Sequence, residues 1–167
     1  MYKLDDNLRR FLLQLTLASI STRSRKAKSA AAESLTTEYV ARAARLNPTA
    51  CELFDSEVAL LAAAERQPGN PRASTAAQLL LFDSRGELLT STEFAKAIGR
   101  LRDDGAQRVV LAIGPADGWS PAALGRAQRT LSLGRMTLPH ELARAVAAEQ
   151  IYRALTILAG HPYHCGH

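Results

Sequence analysis

The last seven residues, HPYHCGH (161–167), place three imidazoles, a phenol and a thiol in one short stretch. Imidazole nitrogens and a thiolate can ligate a metal. The spacing H-x2-H-C-x-H, with a proline inside it, matches no common zinc pattern, so no metal is expected. Cys165 beside His164 makes a poor nucleophile–base pair, because adjacent residues seldom face each other. The third use is a polar tip that meets a substrate. A base would stack on Tyr163 while His164 accepts a proton near neutral pH.

Two further stretches carry possible binding chemistry. IGPADG (113–118) lacks the GxGxxG of a dinucleotide turn and the GK[ST] of a phosphate loop, so it does not cradle phosphate. Its two glycines fit either a pair of tight turns or a close approach of backbone to another group. LGRMTLPH (133–140) is mostly apolar yet contains Gly134 and Pro139, which makes it a held loop. Met136 and Leu138 are read either as core or as part of a loop that takes a flat heterocycle such as adenine. In the second case backbone N–H and C=O groups would read the polar rim of the base.

These loops need elements to position them. FLLQLTLASI (11–20), ACELF (50–54), QLLLFD (78–83), RVVLAI (108–113) and TLSL (130–133) read as five strands. The continuous apolar runs are those of strands covered on both faces. Helices are expected at about 29–46, 56–67, 92–103, from Ser120-Pro121 onward, and at 141–160. In the second, Val58, Leu61 and Ala62 share a face. In the third, Thr90 and Glu93 have capping-box spacing, Phe94, Ile98 and Leu101 form the apolar stripe, and Gly105 stops it. In the last, Leu142, Val146, Ile151, Leu155 and Leu158 are expected inward, with Glu149 and Arg153 as an i,i+4 pair. A turn is expected at Ser84-Arg85-Gly86. Strands alternating with helices imply an α/β fold, a parallel sheet with helices on both faces. Ligands in such sheets sit beyond the carboxyl ends of the strands. Three loops reach that edge: Phe82 to Gly86, Gly114 to Gly118, and Gly134 to His140.

The 167 residues suit one domain with a short arm. The division read here is a basic extension at 1–10 and a single domain at 11–167. PGNPRAST (68–75) is a loop inside that domain, since neither side could bury a core alone. Hydrophobic residues make up 47% of the chain and aromatic ones 5%, so alanine and leucine must fill the core. The net charge is +5, and residues 1–30 hold all of it, with seven Lys/Arg against two acids. A basic segment suits a polyanion such as RNA, or is simply a solvated arm. Cys51 and Cys165 lie far apart without CxxC pairing, a reduced, cytoplasmic pattern. Arg9-Arg10 before an apolar run loosely resembles a twin-arginine export sequence. Gln14 and Thr16 interrupt the run, and Phe11, Leu13, Leu15 and Leu17 alternate as in a strand. No stretch approaches the roughly 18 apolar residues of a membrane span.

IGPADGWSP (113–121), LSLGRMTLPHELAR (131–144) and AEQIYRALTILAGHPYH (148–164) together resemble the C-terminal half of the ribosomal RNA large-subunit methyltransferase H family. These are SPOUT-class enzymes. The match is dense from about Leu79 to His164. The resemblance implies a C-terminal trefoil knot, a rare exception to unthreaded chains. It also implies a homodimer, S-adenosylmethionine as cofactor, and methyl transfer to N3 of a pseudouridine in 23S rRNA within the ribosome. By the same resemblance, Phe82, Gly114, Leu133, Gly134, Arg135, Met136, Thr137 and Leu138 fall on the family's cofactor contacts. His140, Arg144, Tyr163 and His164 fall on polar positions near the substrate.

Phe82 stands where the family has leucine before Asp83. Three departures from the family's pattern carry more weight, the first being extra residues before the first strand. Pro115 replaces a second glycine and removes a backbone donor. Cys165 stands where the family has an arginine, a group able to bind phosphate or to steady the anion formed as N3 loses its proton. Arg23, Arg25 or Lys26 are candidates to compensate. The expected reaction is direct methyl transfer, with the protein supplying alignment and a proton acceptor such as His164, worth roughly 10²–10⁴-fold. The alternatives are a SPOUT methyltransferase on another RNA base and a degenerate homologue that binds cofactor or ribosome with weak activity. An unrelated α/β binding module would not bind the cofactor.

Overall fold

A computed structural model describes residues 13–21, 29–66 and 76–164. The basic extension at 1–10, Arg23, Arg25, Lys26, the 68–75 loop, Cys165 and His167 lie outside the described residues. The chain runs β1 (Gln14–Ile20), α1 (Ala30–Ala44), β2 (Thr49–Phe54), α2 (Glu57–Glu65), β3 (Gln78–Leu88), α3 (Ser91–Asp103), β4 (Arg108–Ile113), α4 (Pro121–Arg126), β5 (Arg129–Ser132) and α5 (His140–Leu158). The strands form one parallel sheet in the order β2-β1-β4-β3-β5.

Alternation along the strands sends two apolar sets to opposite faces. Leu13, Leu15, Leu17, Leu80, Val109, Leu111 and Ile113 meet α1, α3 and α5. Ala18, Ile20, Leu79, Leu81, Val110 and Ala112 meet α2 and α4. This is the expected sheet with helices on both faces. The low aromatic content is met by small residues. Ala145, Ala147, Ala148 and Ala154 are all buried on α5, which lets the helix lie close on the sheet and on α1.

Helix starts follow local chemistry. Ser29, Ser56, Thr90 and Ser120 each cap the helix that follows with a side-chain oxygen. At α3 the capping box is complete: Glu93 N–H donates to Thr90 Oγ1 at 3.2 Å, and Thr90 N–H donates to Glu93 Oε2 at 2.8 Å.

Three expectations need correction. In α2 the buried residues are Leu60, Leu61 and Ala64, while Val58 is 76% exposed. In α5, Leu142 is exposed and much of the inward face is alanine. The turn at 84–86 does not end β3. Phe82 and Glu87 both pair with Leu131 of β5, so residues 83–86 loop out and the strand resumes. Gly86 permits this return, because a Cβ there would stand 2.5 Å from the Leu131 carbonyl carbon.

Candidate active site

The excursion of β3, the loop after β4 and the loop between β5 and α5 converge at the carboxyl edge of the sheet. They enclose a cavity of about 400 Å³. Its walls include Phe82, Asp83, Gly114, Pro115, Trp119, Leu133, Gly134, Met136, Thr137, Leu138 and His140. The volume lies in the range of small-molecule sites, which are mostly apolar with a few placed polar groups.

Trp119 forms one wall, and sequence reasoning missed it. It is buried, and its Nε1–H donates to the Phe82 carbonyl at 2.9 Å, tying the loop after β4 to β3. Its indole lies against Gly114, where a Cβ would come within 2.7 Å of Cε2. Of the two readings left open for Gly114, close approach is therefore the one realised. The lone tryptophan after Gly118 was the available clue.

In the loop that follows β5, Leu133, Gly134, Met136, Thr137 and Leu138 line the cavity, and Arg135 does not. Ser132 Oγ donates to the Gly134 carbonyl at 2.8 Å and fixes the start of the loop. Met136 is 84% exposed, so it is no core residue. Pro139 opens α5 without a side-chain cap, so the helix begins against the cavity.

His140 lines the cavity from the first turn of α5, and its Nε2 is buried without a partner among the described residues. Burial, helped by the charge of Arg144, pushes its pKa below the ordinary imidazole value, with Glu141 opposing. The ring is therefore neutral at pH 7. Arg144, one turn further on, does not line the cavity. It is buried against α1, where Nη1 donates to Glu33 at 2.8 Å and Nη2 lies 3.8 Å from the Cys51 sulfur.

Tyr163 and His164 lie elsewhere. The Tyr163 hydroxyl donates to Glu149 Oε1 at 3.0 Å, its ring meets Tyr152 edge-on at 4.7 Å, and the Arg153 guanidinium stands 4.9 Å over it. Arg153 is paired with Glu149, as expected, and its Nη1 lies 3.3 Å from His164 Nδ1. Burial, then hydrogen bonding, raises the Tyr163 phenol far above its ordinary range, so it stays protonated and donates. Glu149 is nine residues along α5 from His140, about 14 Å of helix rise. Neither tail residue lines the cavity of its own chain.

Among the described residues no group of three His, Cys, Asp or Glu could hold a metal, and no helix is long and apolar enough to cross a membrane. Residues 14–164 match the family model described as predicted SPOUT methyltransferase. The chain is 49% identical over 142 residues to ribosomal RNA large subunit methyltransferase H of Koribacter versatilis, covering 85% of this chain and 94% of that protein. It is 53% identical over 92 residues to the enzyme of the same name in Brucella ovis, covering 55% of this chain and 54% of that one. Among solved structures, the SpoU methyltransferase AviRb from Streptomyces viridochromogenes, in complex with AdoMet, aligns with 95% of this chain and 64% of its own. That alignment has a TM-score of 0.49 and 15% identity. The chain belongs to the SPOUT methyltransferases and, within them, to the ribosomal RNA large subunit methyltransferase H family.

Proposed function

We propose that this enzyme uses S-adenosylmethionine to methylate N3 of a pseudouridine in 23S rRNA. The observation that carries the cofactor assignment is the cavity at the sheet edge. Seven of the eight candidate cofactor residues (Phe82, Gly114, Leu133, Gly134, Met136, Thr137 and Leu138) line it. An apolar slot edged by backbone groups fits an adenosine, and the sulfonium supplies the methyl group. The choice of 23S rRNA follows from the large-subunit name of the relative that aligns over 94% of its length. The pseudouridine N3 target rests on the resemblance read from the sequence. A cytoplasmic location accords with a ribosomal substrate.

The protein's own work is alignment and proton handling. N3 of a uracil-type ring reacts well only as its proton leaves. His140 lies at the cavity wall and is neutral, so it can accept a proton. His164 and Tyr163 are about 14 Å or more of helix away from that wall. We therefore read the working form as a homodimer in which the tail cluster of one copy completes the cavity of the other. The same reading includes a threaded C-terminal segment, 133–164, gripping the cofactor, in a single domain spanning 11–167.

Mass spectrometry of 23S rRNA from a deletion strain, with and without the complementing gene, tests the substrate. Loss and recovery of one methyl on a pseudouridine is expected. A methyl missing from another base would move the assignment to a different target, and unchanged rRNA would refute it. Sedimentation of the purified chain as a monomer would refute the shared site.

A further inference from the structure

Glu149, Arg153 and His164 form a chain of contacts at the far end of α5. Glu149 Oε1 accepts from Arg153 Nε at 3.0 Å and from Nη2 at 2.6 Å. The same oxygen accepts from the Tyr163 hydroxyl at 3.0 Å, while Oε2 accepts from Gln150 at 2.7 Å. The carboxylate side chain is 17% exposed and that of Arg153 27%. With Nε and Nη2 taken up by Glu149, the remaining nitrogen, Nη1, is the one turned to the tail, 3.3 Å from His164 Nδ1. The turn of the tail is itself fixed by the Tyr163 backbone N–H, which donates to His161 Nδ1 at 3.2 Å.

A guanidinium only donates. It offers no acceptor and does not lose its proton in a protein. Pairing with Glu149 raises the Arg153 pKa still further, against the burial that lowers it. In this contact His164 Nδ1 is therefore the acceptor, and a neutral imidazole that accepts at Nδ1 carries its proton on Nε2. That Nε2 has no partner among the described residues. We infer that Arg153, held by Glu149, is a positioning residue that fixes His164 as a hydrogen-bond donor through Nε2–H, for a carbonyl oxygen beside N3 of the substrate base. This rests on the reading that the tail of one copy completes the cavity of the other. As the N3 proton leaves for His140, negative charge spreads onto the two flanking carbonyl oxygens, and a donor placed on one of them steadies the anion. The acceptor role expected of His164 from the sequence is thereby reversed. The two imidazoles divide the work, His140 accepting and His164 donating.

Two experiments on the full chain test this assignment. Long-range proton–nitrogen NMR of histidine-labelled protein reads the tautomers directly, at about pH 8.5, roughly two units above the ordinary imidazole pKa. His164 should be a single Nε2–H form, and Arg153→Met should turn it into a mixture of both forms. His161, whose Nδ1 partner is a backbone N–H, should not change and serves as the control. A mixture in the wild type, or a pure Nε2–H ring in Arg153→Met, would overturn the role of Arg153. Methylation of 23S rRNA from a deletion strain then separates donor from acceptor. His164→Gln keeps an N–H, His164→Glu keeps only acceptor oxygens at neutral pH, and His164→Ala keeps neither. The Gln variant should stay within about tenfold of wild type, while Glu and Ala should each lose about 10²–10³-fold in turnover, the usual loss for one removed oxyanion donor. A Glu variant that matched or exceeded Gln would overturn the inference, and so would an equal loss in all three. Wild-type turnover in all three would refute the shared site itself, whatever the tautomer, and the inference with it.

Discussion

Gly114→Ala is the sharpest test of how the cavity is built. The added methyl would lie 2.7 Å from Trp119 Cε2 and 2.9 Å from Nε1, closer than packed carbon and nitrogen atoms come. The indole has to move, and it cannot move freely. It is buried, and its N–H is tied to the Phe82 carbonyl at 2.9 Å. Overpacking of this kind costs about 1–3 kcal/mol. Breaking the hydrogen bond adds about 1 kcal/mol. The variant should lose about 2–4 kcal/mol in all, a large part of a typical domain's stability but not the whole of it. Trp119 is the only tryptophan in the chain, so its fluorescence follows both urea unfolding and the wall itself. We expect a lower urea midpoint, a red-shifted native emission and weaker cofactor binding by calorimetry. Trp119→Leu placed in the Gly114→Ala background should recover part of the lost stability, read by circular dichroism, because the two residues share one space. An unchanged midpoint and emission spectrum in Gly114→Ala would refute the close approach and the role given to this wall.

Thr90→Ala removes the capping hydroxyl of α3 and should cost about 1 kcal/mol in urea denaturation, with cofactor affinity unaltered. The lowered pKa of His140 means the folded chain binds fewer protons than the unfolded one between that pKa and about 6.5. Its contribution is therefore complete above pH 6.5 and is lost as pH falls through the folded value, so His140→Gln should flatten the acid side of a stability–pH profile. Arg144→Ala should lower stability by about 1–2 kcal/mol, the modest figure reflecting a half-exposed Glu33 partner. A Lys at 144 should not restore it, because the ammonium cannot reach two partners as the guanidinium fork does. Tyr163→Phe should reduce turnover without shifting the alkaline limb of the rate profile below pH 10, since the phenol does not ionise there.

The five strands and their helices were legible because each signal is local. Apolar runs of four to seven residues sit between caps and glycines, and the capping box at Thr90 has fixed spacing. The phase of α2 and part of α5 was not legible. Both helices carry alanine or leucine on nearly every side, so periodicity cannot choose between Leu60 and Val58. The resumption of β3 depends on the backbone of β5 meeting Gly86, a contact between segments 45 residues apart. Trp119 was overlooked for a similar reason, since its partner is a backbone carbonyl in a different loop. The three cavity loops were placed correctly at the sheet edge because a parallel α/β order dictates that edge before any side chain is considered. The separation of the tail from the cavity depends on the length of α5 and on the Glu149–Arg153 anchor, which no motif announces.

That helix works as a ruler. One end touches the cavity wall through His140, and the other carries the seat for Tyr163 and His164. One extra residue in its middle would advance the seat by about 1.5 Å and swing it by about 100°. A substitution on the exposed side of α5 leaves this spacing intact, whereas a single insertion or deletion between Arg144 and Glu149 would turn the seat of the tail away from its present direction. Length, more than composition, is what this segment has to conserve.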